Sequence, residues 1–326
     1  MLEKNENPYP AQIDWNKCLS NVNLNRYPDS AYFELKAKLA ETFGVESSQL
    51  SLGNGSDEVL QTAIFALVSS NDSVVSFSPT FSEYKRICDL RGSKYDEIEL
   101  DSPFIPDMDQ LNEFVKASAP RLIILCNPNN PTGQVISKAK IVDLLESTDA
   151  YVIVDEAYID FGGESLLPYI NQYKHLVVLR TFSKGYGLAA LRFGFAIADP
   201  TTIELIESKR APYNINQFTV AAVLDVLDNL APVLRNIKTI TSDREFVQNE
   251  LTKLRIPYIQ SSGNFILFSP FDISRLKKHL SEATFTLRFF DDNILGSFVR
   301  FSIGTKQQND ELLGMLKESS EGRFND

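Results

Sequence analysis

The sequence predicts an α/β fold: a large domain on a mostly parallel sheet flanked by helices, followed by a smaller α/β domain. Three observations predict it. The short apolar runs Leu122-Ile-Ile-Leu125, Tyr151-Val-Ile-Val154 and Leu176-Val-Val-Leu179 each stop at a polar cluster, as strands buried on both faces do. Helical patterns alternate with strands, the arrangement of a parallel sheet. A length of 326 residues exceeds one simple core and suggests two domains.

Taken in order, residues 1 to 30 read as irregular, because Asn, Pro and Asp favour turns. Tyr27 precedes Pro28 and is therefore extended. A helix follows with Leu35, Leu39 and Phe43 on one face and Gly44 as its stop. Leu50-Ser-Leu-Gly-Asn-Gly-Ser-Asp-Glu is a short strand turning through Gly53 and Gly55 into a helix begun near Ser56. Free N–H groups at such a helix start can seat a phosphate; the spacing fits an ordinary capped helix equally well. Val74 to Phe77 is a strand, then a helix runs to about Leu90, a strand covers about Tyr95 to Ile98, and a helix follows Asp107. After the three strands named above the pattern is helical over 201–209, 216–229 and 232–253. It returns to mixed structure with Asn264 to Phe268, a helix near 272–280, strands near 285–288 and 297–302, and a last helix from about 307.

Apolar content of 43% and charged content of 23% describe an ordinary globular protein. A net charge of −11 argues against nucleic acid or an acidic membrane as partner. The three cysteines are odd in number and lack CxxC spacing, which fits a reducing compartment. Neither of the two histidines lies in a metal-ligand motif, so no metal is expected. No apolar run reaches spanning length, and the polar start is unlike a signal peptide. A cytoplasmic protein is the expectation.

The unusual polar residues fall just past the strands, the edge where open α/β sheets bind ligands. Lys184 follows the strand ending at Leu179; burial there lowers an amine's pKa and makes it nucleophilic. Asp155 follows another strand, where a partly desolvated carboxylate wants a cationic partner. Tyr158 lies three residues on, and Asn130 sits in a proline-bracketed loop. Ser183, Arg192 and the helix start at Ser56 offer anion donors. This ordered set suits pyridoxal 5′-phosphate: an aspartate to keep the ring nitrogen protonated, a lysine to hold the aldehyde, and donors for the phosphate.

Ten motifs carry a family resemblance across nearly the whole chain: Asn5-Glu-Asn-Pro, Leu24-Asn-Arg-Tyr-Pro-Asp29, Leu52-Gly-Asn-Gly-Ser-Asp-Glu58, Cys126-Asn-Pro-Asn-Asn-Pro-Thr-Gly133, Val154-Asp-Glu-Ala-Tyr-Ile-Asp-Phe161, Leu179-Arg-Thr-Phe-Ser-Lys184, Gly187-Leu-Ala-Ala-Leu-Arg192, Ala211-Pro-Tyr-Asn214, Asn264-Phe-Ile-Leu267 and Val299-Arg-Phe-Ser-Ile-Gly-Thr305. The chain resembles the fold-type I, class II aminotransferases dependent on pyridoxal phosphate, and within them the histidinol-phosphate aminotransferases.

The resemblance implies a large domain over 26–225 on a seven-stranded sheet, and a small domain from 1–25 and 226–326. It makes Lys184 the Schiff-base lysine and proton carrier, with Asp155 at the pyridine nitrogen and Tyr158 and Asn130 at the ring oxygen. Phe81 takes the stacking position, where the family often has tyrosine. Gly55, Ser56, Asp57, Ser183 and Arg192 surround the phosphate. Tyr27 reaches the phosphate of a neighbouring subunit, which implies a homodimer. Arg300 takes the substrate α-carboxylate and Arg288 its distal anion, with Asn130 and Tyr9 also facing substrate. By spacing alone, Arg288 and Arg300 read as surface residues, Tyr27 as a turn aromatic and Asp155 as a cap.

Two departures bear on substrate choice. The family's usual arm before Asn-Glu-Asn-Pro, with its tyrosine, is missing ahead of residue 5. The segment Thr286-Leu-Arg-Phe-Phe-Asp-Asp-Asn is less family-like than the rest. The implied reaction is transamination between histidinol phosphate and 2-oxoglutarate in histidine biosynthesis. An aromatic amino acid aminotransferase and a phosphothreonine decarboxylase share the scaffold and stay open. A non-enzymatic binding module is disfavoured by the intact Lys184, Asp155 and Tyr158.

Overall fold

The computed structural model describes residues 2–320 except 21, 282 and 284. Its larger sheet has seven strands: β1 (Leu50–Asn54), β2 (Ser73–Ser78), β3 (Lys94–Glu99), β4 (Leu122–Cys126), β5 (Tyr151–Asp155), β6 (Leu176–Thr181) and β7 (Phe193–Ala198). They lie in the order β1-β7-β6-β5-β4-β2-β3. Only β7 runs against its neighbours in this sheet.

Side chains alternate between two apolar layers with the period of two that a strand imposes. Along β4, Leu122 and Ile124 enter one core, while Ile123 and Leu125 enter the other. Helices α3 (Ser56–Leu67), α4 (Glu83–Arg91) and α7 (Pro200–Glu207) cover the first layer. Helices α2 (Phe33–Phe43), α5 (Met108–Ser118), α6 (Lys138–Ser147) and α8 (Gln217–Asp228) cover the second. Strands covered on both faces must be apolar throughout, which is why these runs were readable.

From β2 the chain steps outward to β3 on one side and then to β4 on the other. The direction of winding therefore reverses between β2 and β4, the kind of place where an open sheet leaves a crevice at its strand ends. The segment with Phe81 leaves β2 there, and the loop with Asn130 leaves β4.

The second sheet is antiparallel, ordered β10-β11-β9-β8, from β8 (Tyr258–Ile259), β9 (Phe265–Phe268), β10 (Arg288–Phe289) and β11 (Val299–Ser302). Its apolar face packs with α9 (Ala231–Lys253), α10 (Ile273–Leu280) and α11 (Lys306–Ser320). Val233 of α9 sits in the core of the larger sheet and Ile240, Val247 and Leu251 sit in that of the smaller, so one helix spans both. Leu2 also belongs to the smaller core.

Three elements differ from the sequence expectation. The stretch read as irregular contains a helix, α1 (Trp15–Ser20), whose one buried side chain is Cys18; six residues with a single anchor give no usable period. β7 has no counterpart in the sequence reading, which assigns no element to residues 193–198. β8 is two residues long and carries no pattern.

Candidate active site

A cavity of about 750 Å³ opens at the carboxyl ends of the central strands. Lys184, Ser183, Arg192, Asp155, Tyr158, Asn130, Phe81, Ser56, Asp57, Arg288 and Arg300 all line it. The sheet explains the gathering: β4, β5 and β6 are neighbours, and Asn130, Asp155 and Lys184 follow or end them.

Asp155 is the last residue of β5. Val154 points into the α2 side of the sheet, so Asp155 points into the α4 side. There Oδ2 accepts from the Tyr84 hydroxyl at 2.7 Å and Oδ1 from the Ala157 N–H at 3.1 Å. Burial pushes its pKa up to about 6; these two donors oppose the rise, the Asp57 charge adds to it and Lys184 opposes it.

Lys184 is half-buried, and its Nζ donates to the Lys4 carbonyl at 2.9 Å. Burial, and then the positive charge of Arg300, lowers its pKa to about 8. About a tenth of it is thus neutral at pH 7, far more than for an ordinary lysine, as a nucleophilic amine requires.

Tyr158 is buried, and its pKa is raised chiefly by that burial. Asn5 donates its amide to the Tyr158 oxygen at 3.0 Å. The phenol's own proton is left for a ligand. Asn130 accepts from Arg300 Nη1, and Arg300 Nη2 donates to the Glu3 carbonyl at 2.7 Å. Arg300 is only 8% exposed, which corrects the surface reading that spacing suggested. Arg288 is exposed, but it is the register partner of Arg300 across β10 and β11 and faces the same cavity.

The opposite wall is built at the start of α3. Gly55 is the N-cap, with φ of 90° and no side-chain cap bond. A Cβ there would lie 2.6 Å from Arg192 Nη2. Gly194 of β7 leaves room for Ser56, whose nitrogen would be 2.3 Å from an added Cβ. Arg192 bonds Asp57 Oδ2 at 2.7 Å and Ser183 Oγ at 3.3 Å. An uncapped helix start, a serine and an arginine form an anion seat.

Two expected residues lie elsewhere. Tyr9 is half-buried beside the smaller core, near Asp243, and does not line the cavity. It sits between Pro8 and Pro10 against the smaller core instead of in the cavity, so its place at the substrate is corrected. Tyr27 is 80% exposed and stacks on Tyr213 with ring centroids 4.6 Å apart, outside its own chain's cavity. Sequence reasoning missed Tyr84 and the backbone of Glu3 and Lys4. Tyr84 carried one signal: a polar aromatic on the buried face of α4, in step with Ile87 and Cys88.

The residues fit pyridoxal phosphate by chemistry: an anion seat at one end, a buried carboxylate at the floor, an amine beside it, and the face of Phe81 on the wall. Among the described residues no group of three His, Cys, Asp or Glu is placed to hold a metal.

The family profile for aminotransferase class I and II matches residues 2–316. A histidinol-phosphate aminotransferase of Clostridium novyi is 32% identical over 302 residues, covering 92% of this chain and 85% of its own. Histidinol-phosphate aminotransferase 2 of Nitrosococcus oceani is 35% identical, covering 97% and 90%. The crystal structure of the histidinol-phosphate aminotransferase from Clostridium acetobutylicum superposes with a TM-score of 0.88 at 25% identity, over 99% of this chain and 100% of that one.

Proposed function

This chain belongs to the class I and II aminotransferases, and on that premise we propose that it exchanges an amino group between histidinol phosphate and 2-oxoglutarate in histidine synthesis. Its cofactor is pyridoxal 5′-phosphate, as in its family. When bound, the cofactor supplies an aldehyde and an electron-withdrawing ring, which together make a proton on the amino-bearing carbon removable.

The chain's own groups have separable tasks. Lys184 Nζ would be the amine that meets the aldehyde and the base that moves the proton. Asp155 would hold positive charge on the ring nitrogen. Tyr158 and Asn130 would orient the ring oxygen, and Phe81 would cover one face. The N–H groups at Gly55, Ser56 and Asp57, with Ser183 and Arg192, would hold the phosphate. Arg300 would take the carboxylate beside the reacting carbon of glutamate or 2-oxoglutarate and Arg288 the distal one, while the single phosphate of histidinol phosphate, which has no carboxylate, would draw on the same two cations.

The observation that carries the substrate class is the pair Arg288 and Arg300, side by side in register on one wall of the cavity. 2-Oxoglutarate brings two carboxylates and histidinol phosphate one doubly charged phosphate, and two cations suit either. Histidinol phosphate should convert the bound aldehyde to the amine form, read by absorbance, and 2-oxoglutarate should restore it. Carbon dioxide release from phosphothreonine without any keto acid, and no response to histidinol phosphate, would replace this reading with a decarboxylase.

The proposal extends to assembly and organisation. The active unit is a homodimer in which Tyr27 reaches the partner's phosphate seat; its exposure beside exposed Leu24 and Phe33 supports this. The division into 26–225, and 1–25 with 226–326, is supported by the two sheets, each with its own apolar core, with α9 shared between them. The three cysteines are buried and unpaired, which suits the cytoplasm.

A further inference from the structure

We propose that Tyr84 is a positioning residue whose buried hydroxyl keeps the Asp155 carboxylate anionic and aimed, so that cofactor affinity at acid pH depends on a phenol of α4. The inference rests on the reading that this cavity holds pyridoxal phosphate.

Tyr84 is 0% exposed, and its O–H donates to Asp155 Oδ2 at 2.7 Å. The groups facing Asp155 can be taken element by element. α4 presents Tyr84, β4 presents Cys126, the start of α3 presents Asp57, and the segment after β6 presents Lys184. The segment after β5 presents Tyr158 and the Ala157 N–H. Among the described residues only Tyr84 and Ala157 donate hydrogen bonds to the carboxylate. The Ala157 bond is backbone and cannot be lost by substitution. Tyr84 is therefore the side chain that stabilises the charged form in a dry setting, where a hydrogen bond to an ion is strong.

Tyr84 has a second contact. The Phe81 ring meets it edge-on, with centroids 5.6 Å apart and planes at 86°. One buried phenol thus fixes both the countercharge at the cavity floor and the flat wall above it. Cys126 lies beside it with its thiol pushed by burial up to about 12, and so adds no charge.

The test titrates pyridoxal phosphate into cofactor-free protein between pH 5 and 9, read by absorbance, for wild type and Tyr84→Phe. Wild-type affinity should fall below about pH 6, where Asp155 takes up a proton. In Tyr84→Phe the fall should begin about one pH unit higher, making affinity roughly fivefold weaker near pH 6 and nearly tenfold weaker by about pH 5, with the curves meeting above about pH 8. Tyr84→Met lacks the donor too and should give the same displacement, which covers a failure of Tyr84→Phe to fold. In an Asp155→Asn background, Tyr84→Phe should leave the pH dependence unchanged. Superimposed curves, or an equal loss at every pH, overturn the inference. Wild type that takes up no cofactor at any pH overturns the proposed function instead.

Discussion

The amine of Lys184 donates a 2.9 Å hydrogen bond to the backbone carbonyl of Lys4, across 180 residues of sequence. This nitrogen is held by the N-terminal segment as well as by its own loop. Lys184→Ala should lose both the absorbance of the lysine-bound cofactor and turnover, the latter by at least about a thousandfold. Full turnover in that variant would refute the mechanism.

The Lys184 pKa of about 8 comes first from burial and next from Arg300. The neutral amine is the reactive form, so cofactor uptake should speed up as pH rises through 8 and level off above it. Arg300→Gln removes a positive neighbour. The Lys184 pKa should then rise, moving the midpoint of the uptake-rate profile upward. A midpoint unmoved in stopped-flow absorbance would show that the two charges do not sense one another.

Asp155 titrates near 6 in the fold against 3.8 unfolded. A raised carboxylate pKa adds stability below the unfolded value and loses it as pH climbs through the folded one. At pH 7 the charged group therefore costs the cofactor-free protein roughly 1–3 kcal/mol. Asp155→Asn should be more stable by that order in urea melts at pH 7, with the gain shrinking toward pH 4. The same variant should bind cofactor more weakly.

Arg288 is exposed, and Arg300, its partner in register, is buried. Arg288→Ala should reduce kcat/KM for phosphorylated and dicarboxylate substrates by about 10- to 100-fold, as loss of a hydrogen bond to a charged group does. Neutral aromatic amino acids should suffer less. Equal losses across a substrate panel would remove Arg288 from the substrate site.

Tyr27 offers a test by mixing. Lys184→Ala protein should be inactive alone, and Tyr27→Ala protein impaired. Dimers containing one chain of each should regain activity, because one of their two sites keeps both residues. No regain after exchange of subunits would place Tyr27 outside the partner's site.

Much of this was legible because the central strands are covered on both faces. Leu122 to Cys126 and Tyr151 to Asp155 had to be apolar until their ends, so polar residues there stood out. Asp155 and Lys184 were visible for that reason. β7 hid because Phe193-Gly-Phe-Ala-Ile-Ala begins directly after a glycine-rich loop and returns antiparallel. Tyr84 hid because its hydrogen bond crosses from a helix to a strand 71 residues away. The Glu3 and Lys4 carbonyls left no trace, since a backbone acceptor has no side-chain signature. Tyr9 misled because only tertiary structure shows which side of Asn5-Glu-Asn-Pro faces the cavity.

Leu2 pairs its N–H with Thr286 and its carbonyl with Ser302, and two residues later the same backbone meets the Lys184 amine. An affinity tag or fusion partner joined directly ahead of Leu2 would pull on that tether. Recombinant protein bearing such a fusion should be assayed only after cleavage, and immobilisation should use the far end of α11.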